Sequence, residues 1–170
     1  GQDFKRKGLA PVIDALAQIH KQGHHCTLRI IGRDNPARYR DRAKALGVGD
    51  LVRFEGPTRQ IQEAYRAADL FVFPSLYDPF ANVVLESLAC GLPALTTTTN
   101  GSSEIITEGE DGYVIEGATD HLAADIARCL VNFCSLGNRD RQRMRAQARR
   151  TAEQYTIRRN AEQFIAHLSQ

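Results

Sequence analysis

Residues 70–97 read Leu70-Phe71-Val72-Phe73-Pro74-Ser75-Leu76-Tyr77-Asp78-Pro79-Phe80-Ala81-Asn82-Val83-Val84-Leu85-Glu86-Ser87-Leu88-Ala89-Cys90-Gly91-Leu92-Pro93-Ala94-Leu95-Thr96-Thr97. Leu70 to Phe73 is a continuous apolar run stopped by Pro74, as in a strand covered on both faces. Val83 to Ala89 carries a helical pattern, Gly91 lies beyond its end, and Pro93 opens a second strand, Ala94 to Thr97. Two apolar strands joined by one helix form a βαβ unit, whose strands run parallel with a right-handed crossover.

The same alternation extends in both directions. Leu9, Val12, Ile13, Leu16 and Ile19 recur at helical spacing, with Gly23 as a stop. Thr27 to Ile31 is a β-branched run ending at Gly32, and Tyr39, Ala43 and Leu46 mark a helix closed by Gly47. Leu51 to Phe54 reads as a strand, and Thr58 as the cap of a helix through Ala67. Ser103 to Thr107 reads as a short helix and Tyr113 to Ile115 as the last strand. From Thr119 the pattern is helical with a break at Ser135 to Asn138, and Thr156 caps a final helix. The expected fold class is α/β: a Rossmann-like three-layer domain with a mostly parallel sheet flanked by helices, plus C-terminal helices. Such a sheet binds ligands in the loops beyond the carboxyl ends of its strands. Gly1 to Gly8 reads as a strand-to-helix loop without its strand, which places an expected strand upstream.

Composition bounds the function classes. The 170 residues suit one domain, and 42% apolar with 25% charged residues excludes a disordered chain. No apolar run approaches the ~20 residues of a membrane span, and the start carries no secretory pattern. Cys26, Cys90, Cys129 and Cys134 lack zinc-ligand spacing, and three of them lie in apolar stretches and read as small core residues of a reducing cytosol. The net charge of +2 hides an arginine run from Arg139 to Arg150. Its plain reading is a solvated helix face; its sharper one is peripheral contact with anionic lipid at the inner face of a membrane. Nucleic acid is disfavoured, because no aromatic platform or recognition motif accompanies the charge.

The chemistry concentrates between Phe73 and Ile106. Asp78 lies in the loop after one strand, and a helix begins near Asn82. The first amides of a helix have no intrahelical partner and can take a phosphate. Glu86 follows on that helix, where two carboxylate oxygens can accept from the two hydroxyls of a ribose. Read singly, Glu86 could serve the helix dipole and Asp78 turn chemistry. Their pairing, with the Gly91-Leu92-Pro93 turn and the Asn100-Gly101-Ser102 loop, favours a site.

This stretch resembles the donor-site signature of family 4 retaining glycosyltransferases, of the GT-B architecture. That signature is an acidic residue, seven others and Glu, then Ala-x-Gly-x-Pro. Here it stands as Asp78, Glu86 and Ala89-Cys90-Gly91-Leu92-Pro93. Phe4-Lys5-Arg6-Lys7-Gly8 is similar to the family's Lys-Gly loop, Ile31-Gly32-Arg33 to its second loop, and Phe54-Glu55-Gly56 to its base-binding segment. Two positions depart from the pattern: Asp78 stands where Glu is usual, and Gln2 where an Arg is common.

The resemblance implies that residues 1–170 form a single nucleotide-sugar-binding domain. It would be the C-terminal half of a hexosyltransferase, with an N-terminal acceptor domain elsewhere. Lys7 would neutralise the donor diphosphate, Glu86 hold the ribose and Asp78 contact the transferred sugar. Arg6 or Arg33 would help neutralise the diphosphate, Gly32 would belong to the donor-binding second loop, Phe54, Pro57 and Thr58 would frame the base, and Phe80, Ala81, Asn82 and Val83 would meet the phosphates or sugar. The substrate would be a nucleoside-diphosphate sugar, UDP-glucose-like, with no cofactor and no metal, since no Asp-x-Asp motif is present. The look is closest to lipopolysaccharide-core glucosyltransferases, with a glycan or lipid-linked glycan as acceptor. This half alone would bind donor and turn over poorly. A non-catalytic nucleotide-binding module and another GT-B enzyme such as an epimerase stay open. A dinucleotide dehydrogenase and a P-loop enzyme are disfavoured, because neither glycine motif is present.

Overall fold

Five short strands alternate with six α-helices across residues 3–155, the part of the chain that the computed structural model describes. In order these are α1 (Leu9–Lys21), β1 (Leu28–Ile31), α2 (Ala37–Ala45), β2 (Val52–Gly56), α3 (Ile61–Arg66), β3 (Phe71–Phe73), α4 (Asn82–Ala89), β4 (Ala94–Thr97), β5 (Gly112–Ile115), α5 (Leu122–Ser135) and α6 (Asn138–Gln154). All strand pairs are parallel, as the βαβ reading requires, but the described strands form two sheets. One is β1–β2; the other has the order β3–β4–β5.

Alternate residues of each strand face opposite layers. Leu95 and Val72 join a cluster with α1 (Ile13, Leu16, Ile19), α2 (Tyr39, Ala43) and α5 (Ile126, Phe133). Ala94 and Phe73 join a second cluster with Val84 and Leu88 of α4 and Ala148 and Ala152 of α6. The first cluster also holds Ile30 and Val52, so α1 and its neighbours pack across both sheets. Central β4 is buried at every position. Its threonine hydroxyls donate to neighbouring loop and strand carbonyls, Thr96 to Phe73 O (3.1 Å) and Thr97 to Ser75 O (2.6 Å). That satisfies polar groups that water cannot reach.

Three expectations change. Thr58 does not cap α3, which starts at Ile61; its Oγ accepts from the amide of Gln60 (3.0 Å), a local turn bond ahead of the helix. The short helix expected at Ser103–Thr107 is a 3-10 turn over Gly101–Ile105, capped by the Asn100 side chain. The arginine run is not a uniformly solvated face. Arg141, Arg145 and Arg149 lie four apart on one stripe of α6 and turn to backbone carbonyls: Cys134 and Leu136 at the end of α5, Ala68 just past α3, and Ala89, the last residue of α4. Cations belong there, because helix C-termini carry unpaired carbonyls and partial negative charge. Arg139, Arg143 and Arg150 stay exposed.

Cys129 is buried, and the other three cysteines are half-buried. Cys26 and Cys134 bring their sulfurs to 3.5 Å as free thiols. Among the described residues no helix is long and apolar enough to cross a membrane. The expected Thr156 cap lies outside the described residues.

Candidate active site

The loop ahead of α1 is wedged between the ends of β1 and β3. Phe4 is buried, its ring edge-on to Tyr39 (5.7 Å) and tilted to Phe54 (6.4 Å). Its amide donates to Asp34 (2.8 Å), just past β1. On the other side, Leu76 N donates to Arg6 O (2.8 Å). Gly8 has φ +71°, and a Cβ there would collide with the carbonyl oxygen of Pro74, so only glycine lets this loop meet the end of β3.

That closeness gathers three of the predicted residues. Arg6 donates to Tyr77 O (2.9 Å) and stands 3.7 Å from the Asp78 carboxylate. Lys7 is half-buried, its ammonium 5.5 Å from the centre of the Phe73 ring. Burial, then the Arg6 charge, hold the Lys7 ammonium below the ordinary lysine range, against the opposing pull of Asp78 and Asp3. Two cations and one carboxylate thus share the carboxyl end of β3.

The loop from Ser75 to Ala81 leads from this cluster to α4. Ala81 is the N-cap of α4 and offers no side-chain cap. Among the described residues the amides of Asn82 and Val83 find no acceptor, whereas the Ala81 amide is already donated to Asn100 Oδ1 (3.3 Å). Of the expected phosphate-binding backbone, Ala81 N is therefore occupied. Glu86 is exposed and lies beyond the first turn of α4, which holds no acidic residue; a helix-dipole role does not explain it. Its carboxylate is 3.4 Å from the hydroxyl of Tyr65, which is equally far from Val83 O. Burial, then the nearby Glu86 charge, push the Tyr65 hydroxyl well above its ordinary range, so it stays protonated.

The second sheet's residues divide. Buried Gly32 donates its amide to Gly56 O (3.1 Å), and Arg33 beside it is exposed. The Phe54 ring packs on Phe4 and under the Arg40 guanidinium (5.3 Å), so it faces the core. Pro57 and Thr58 instead line a cavity of about 450 Å³ together with Arg29, Ile31 and Glu55. Phe80 and Tyr77 are exposed beside Asp78. Gln2 lies outside the described residues.

Sequence reasoning missed Asp34, Tyr65 and the hydrogen-bonding role of Asn100. Asn100 left a signal, because Asn before Gly-Ser-Ser-Glu is a helix-start pattern. Tyr65 left none, since its partners lie 18 and 21 residues away.

Lipopolysaccharide glucosyltransferase WaaG of Escherichia coli K12 is 36% identical over 116 residues, 68% of this chain and 31% of WaaG. A D-inositol 3-phosphate glycosyltransferase of Thermomonospora curvata is 40% identical over 123 residues, 71% of this chain and 28% of that protein. The chain thus spans about a third of the length of these curated relatives. A crystal structure of WaaG superposes with TM-score 0.83 at 29% identity, covering 92% of this chain and 42% of that one. HepE of Anabaena, solved with UDP and glucose, superposes with TM-score 0.78 at 25% identity, covering 96% of this chain and 44% of that one. The family Glycosyl transferases group 1 matches residues 1–151, and the chain belongs to it.

Proposed function

We propose that this chain is the donor-binding domain of a retaining hexosyltransferase that uses a UDP-glucose-like nucleotide sugar. The observation that carries this reading is the meeting of Arg6, Lys7 and Asp78 at the carboxyl end of β3, where the Asp78 loop leads to the open amides of α4, with Glu86 further along that helix. The solved relative that holds UDP and glucose supports the donor class. The resemblance to WaaG supports a lipopolysaccharide-core or other glycan acceptor. Four free thiols suit a reducing cytoplasm.

The chemistry follows from charge. The bond between the anomeric carbon and the diphosphate oxygen breaks, and negative charge grows on the leaving group. Lys7, Arg6 and the amides of Asn82 and Val83 sit where preorganised positive charge stabilises it. Glu86 accepts from the ribose hydroxyls and so fixes the donor's register. Asp78 accepts from a hexose hydroxyl, with Arg6 holding its orientation. The acceptor hydroxyl attacks from the face the diphosphate leaves and passes its proton to the departing oxygen, which gives retention. A further domain, preceding residue 1, brings the acceptor; this half alone binds donor and turns over poorly.

Thermal unfolding against a panel of nucleotides and nucleotide sugars tests the reading. One uridine nucleotide should stabilise the chain by about 2.7 kcal/mol at ~100 times its Kd, and Glu86→Ala should abolish the effect. Stabilisation that survives Glu86→Ala would sink the assignment of the ribose contact.

A further inference from the structure

Opposite its contacts with Arg6, the loop that carries Asp78 is held by Thr97, at the end of β4, and by the segment that follows. Ser75 O accepts from Thr97 Oγ (2.6 Å) and Thr99 Oγ (2.7 Å). Asp78 N donates to Thr99 O (3.2 Å), and Asp78 O accepts from Gly101 N (2.9 Å). Gly101 approaches so closely that a Cβ there would collide with Pro79 O. At the end of the loop both backbone groups of Ala81 are gripped. Its amide donates to Asn100 Oδ1 (3.3 Å), and its carbonyl accepts from Ser102 Oγ (3.1 Å).

Asn100 and Ser102 are 0% exposed. Asn100 Oδ1 also accepts from Ser102 N (3.0 Å), and its Nδ2 donates to Thr96 Oγ (2.9 Å). One amide thus ties β4, its own turn and the N-cap of α4 together. The chemistry needs an amide. A carboxylate would bury a charge, and an aliphatic chain would leave two buried N–H groups without acceptors.

We infer that Asn100, assisted by Ser102, is a positioning residue for the diphosphate-sugar end of the donor. Ala81 immediately precedes the two open amides, Asn82 and Val83, so fixing its backbone fixes their direction. Asp78 is fixed by the same segment. Neither residue touches the ligand; they keep the phosphate and sugar contacts preorganised, which lowers the ordering cost of binding. Glu86 lies past the first turn of α4, so the nucleoside contact does not depend on this clamp. The inference rests on the donor-site reading above.

The test compares UMP with UDP-glucose by calorimetry on the chain and its Asn100→Ala, Ser102→Ala and Glu86→Ala variants, all well below their unfolding midpoints. UMP lacks the second phosphate and the hexose. Asn100→Ala is expected to weaken UDP-glucose about tenfold and Ser102→Ala about threefold, each moving UMP less than about twofold. Where Asn100→Ala does not fold by circular dichroism, Ser102→Ala decides. Parallel loss of both ligands, or no loss of either, overturns the positioning role and leaves only a structural one. Glu86→Ala should weaken both ligands. If it does, failure of the clamp variants counts against the clamp alone. If Glu86→Ala changes neither, or the parent chain binds neither ligand, the donor site and the clamp fall together.

Discussion

Lys7 shows how one side chain takes its chemistry from its surroundings. Its position two residues before a glycine-led helix was legible in the sequence, and so was the spacing of Asp78 and Glu86. The sequence could not show that Lys7 would be half-buried against Phe73, because Phe73 is distant in the chain and local patterns carry no such contact. Burial and Arg6 lower the Lys7 pKa below the 10.5 of a free lysine, so its charge is lost earlier than usual as pH rises. The binding of a diphosphate should follow that charge. UDP affinity is expected to fall as pH rises through that lowered pKa. Lys7→Arg should remove the fall, because a guanidinium keeps its proton throughout. Calorimetric titration of UDP at stepped alkaline pH checks this; an identical decline in the Lys7→Arg variant would assign the loss to another group.

Among the elements, helices and strands were legible where their patterns were long, and the errors have local causes. Thr58 looked like a cap because Ser and Thr favour helix starts, but its hydroxyl found the Gln60 amide first. The division into two sheets was not legible, since strand pairing is set by distant partners. The arginine stripe of α6 is the most instructive case. Spacing of four was visible, but the sign of its environment was not. Three arginines close the carbonyl ends of α3, α4 and α5, so the charge that suggested an anionic membrane serves in part to dock one helix onto three others. Arg145→Met keeps the aliphatic stem but leaves Ala68 O unpaired, and is expected to cost about 1.5–3 kcal/mol. The exposed neighbour Arg143→Met should stay within about 0.5 kcal/mol. Urea denaturation measures both; equal costs would mean that the stripe contributes solubility rather than docking.

At the scale of the whole molecule, the site exists only where the two sheets are held in one frame. The shared cluster around α1 does this from one face, and the loop from Asp3 to Gly8 does it at the carboxyl ends of the strands. Asp34 grips that loop from the β1 side and Leu76 from the β3 side, while Gly8 lies against Pro74. Widening that junction should damage stability and donor binding together. Gly8→Ala does this directly, because the new Cβ meets a backbone oxygen that cannot step aside. Gly47 is the matched control: its φ of +75° is as left-handed as the +71° of Gly8, but a Cβ there meets nothing within 4 Å. Gly47→Ala should therefore show the backbone strain alone, about 1–2 kcal/mol, with UDP-glucose affinity unchanged. Gly8→Ala should add a collision of roughly 1–3 kcal/mol to the same strain, and should also weaken UDP-glucose by displacing Lys7 from Asp78. Denaturation and calorimetry on the two variants separate these effects. Equal stability losses with equal affinities would show that the loop yields freely, and that the two sheets do not depend on it for their alignment.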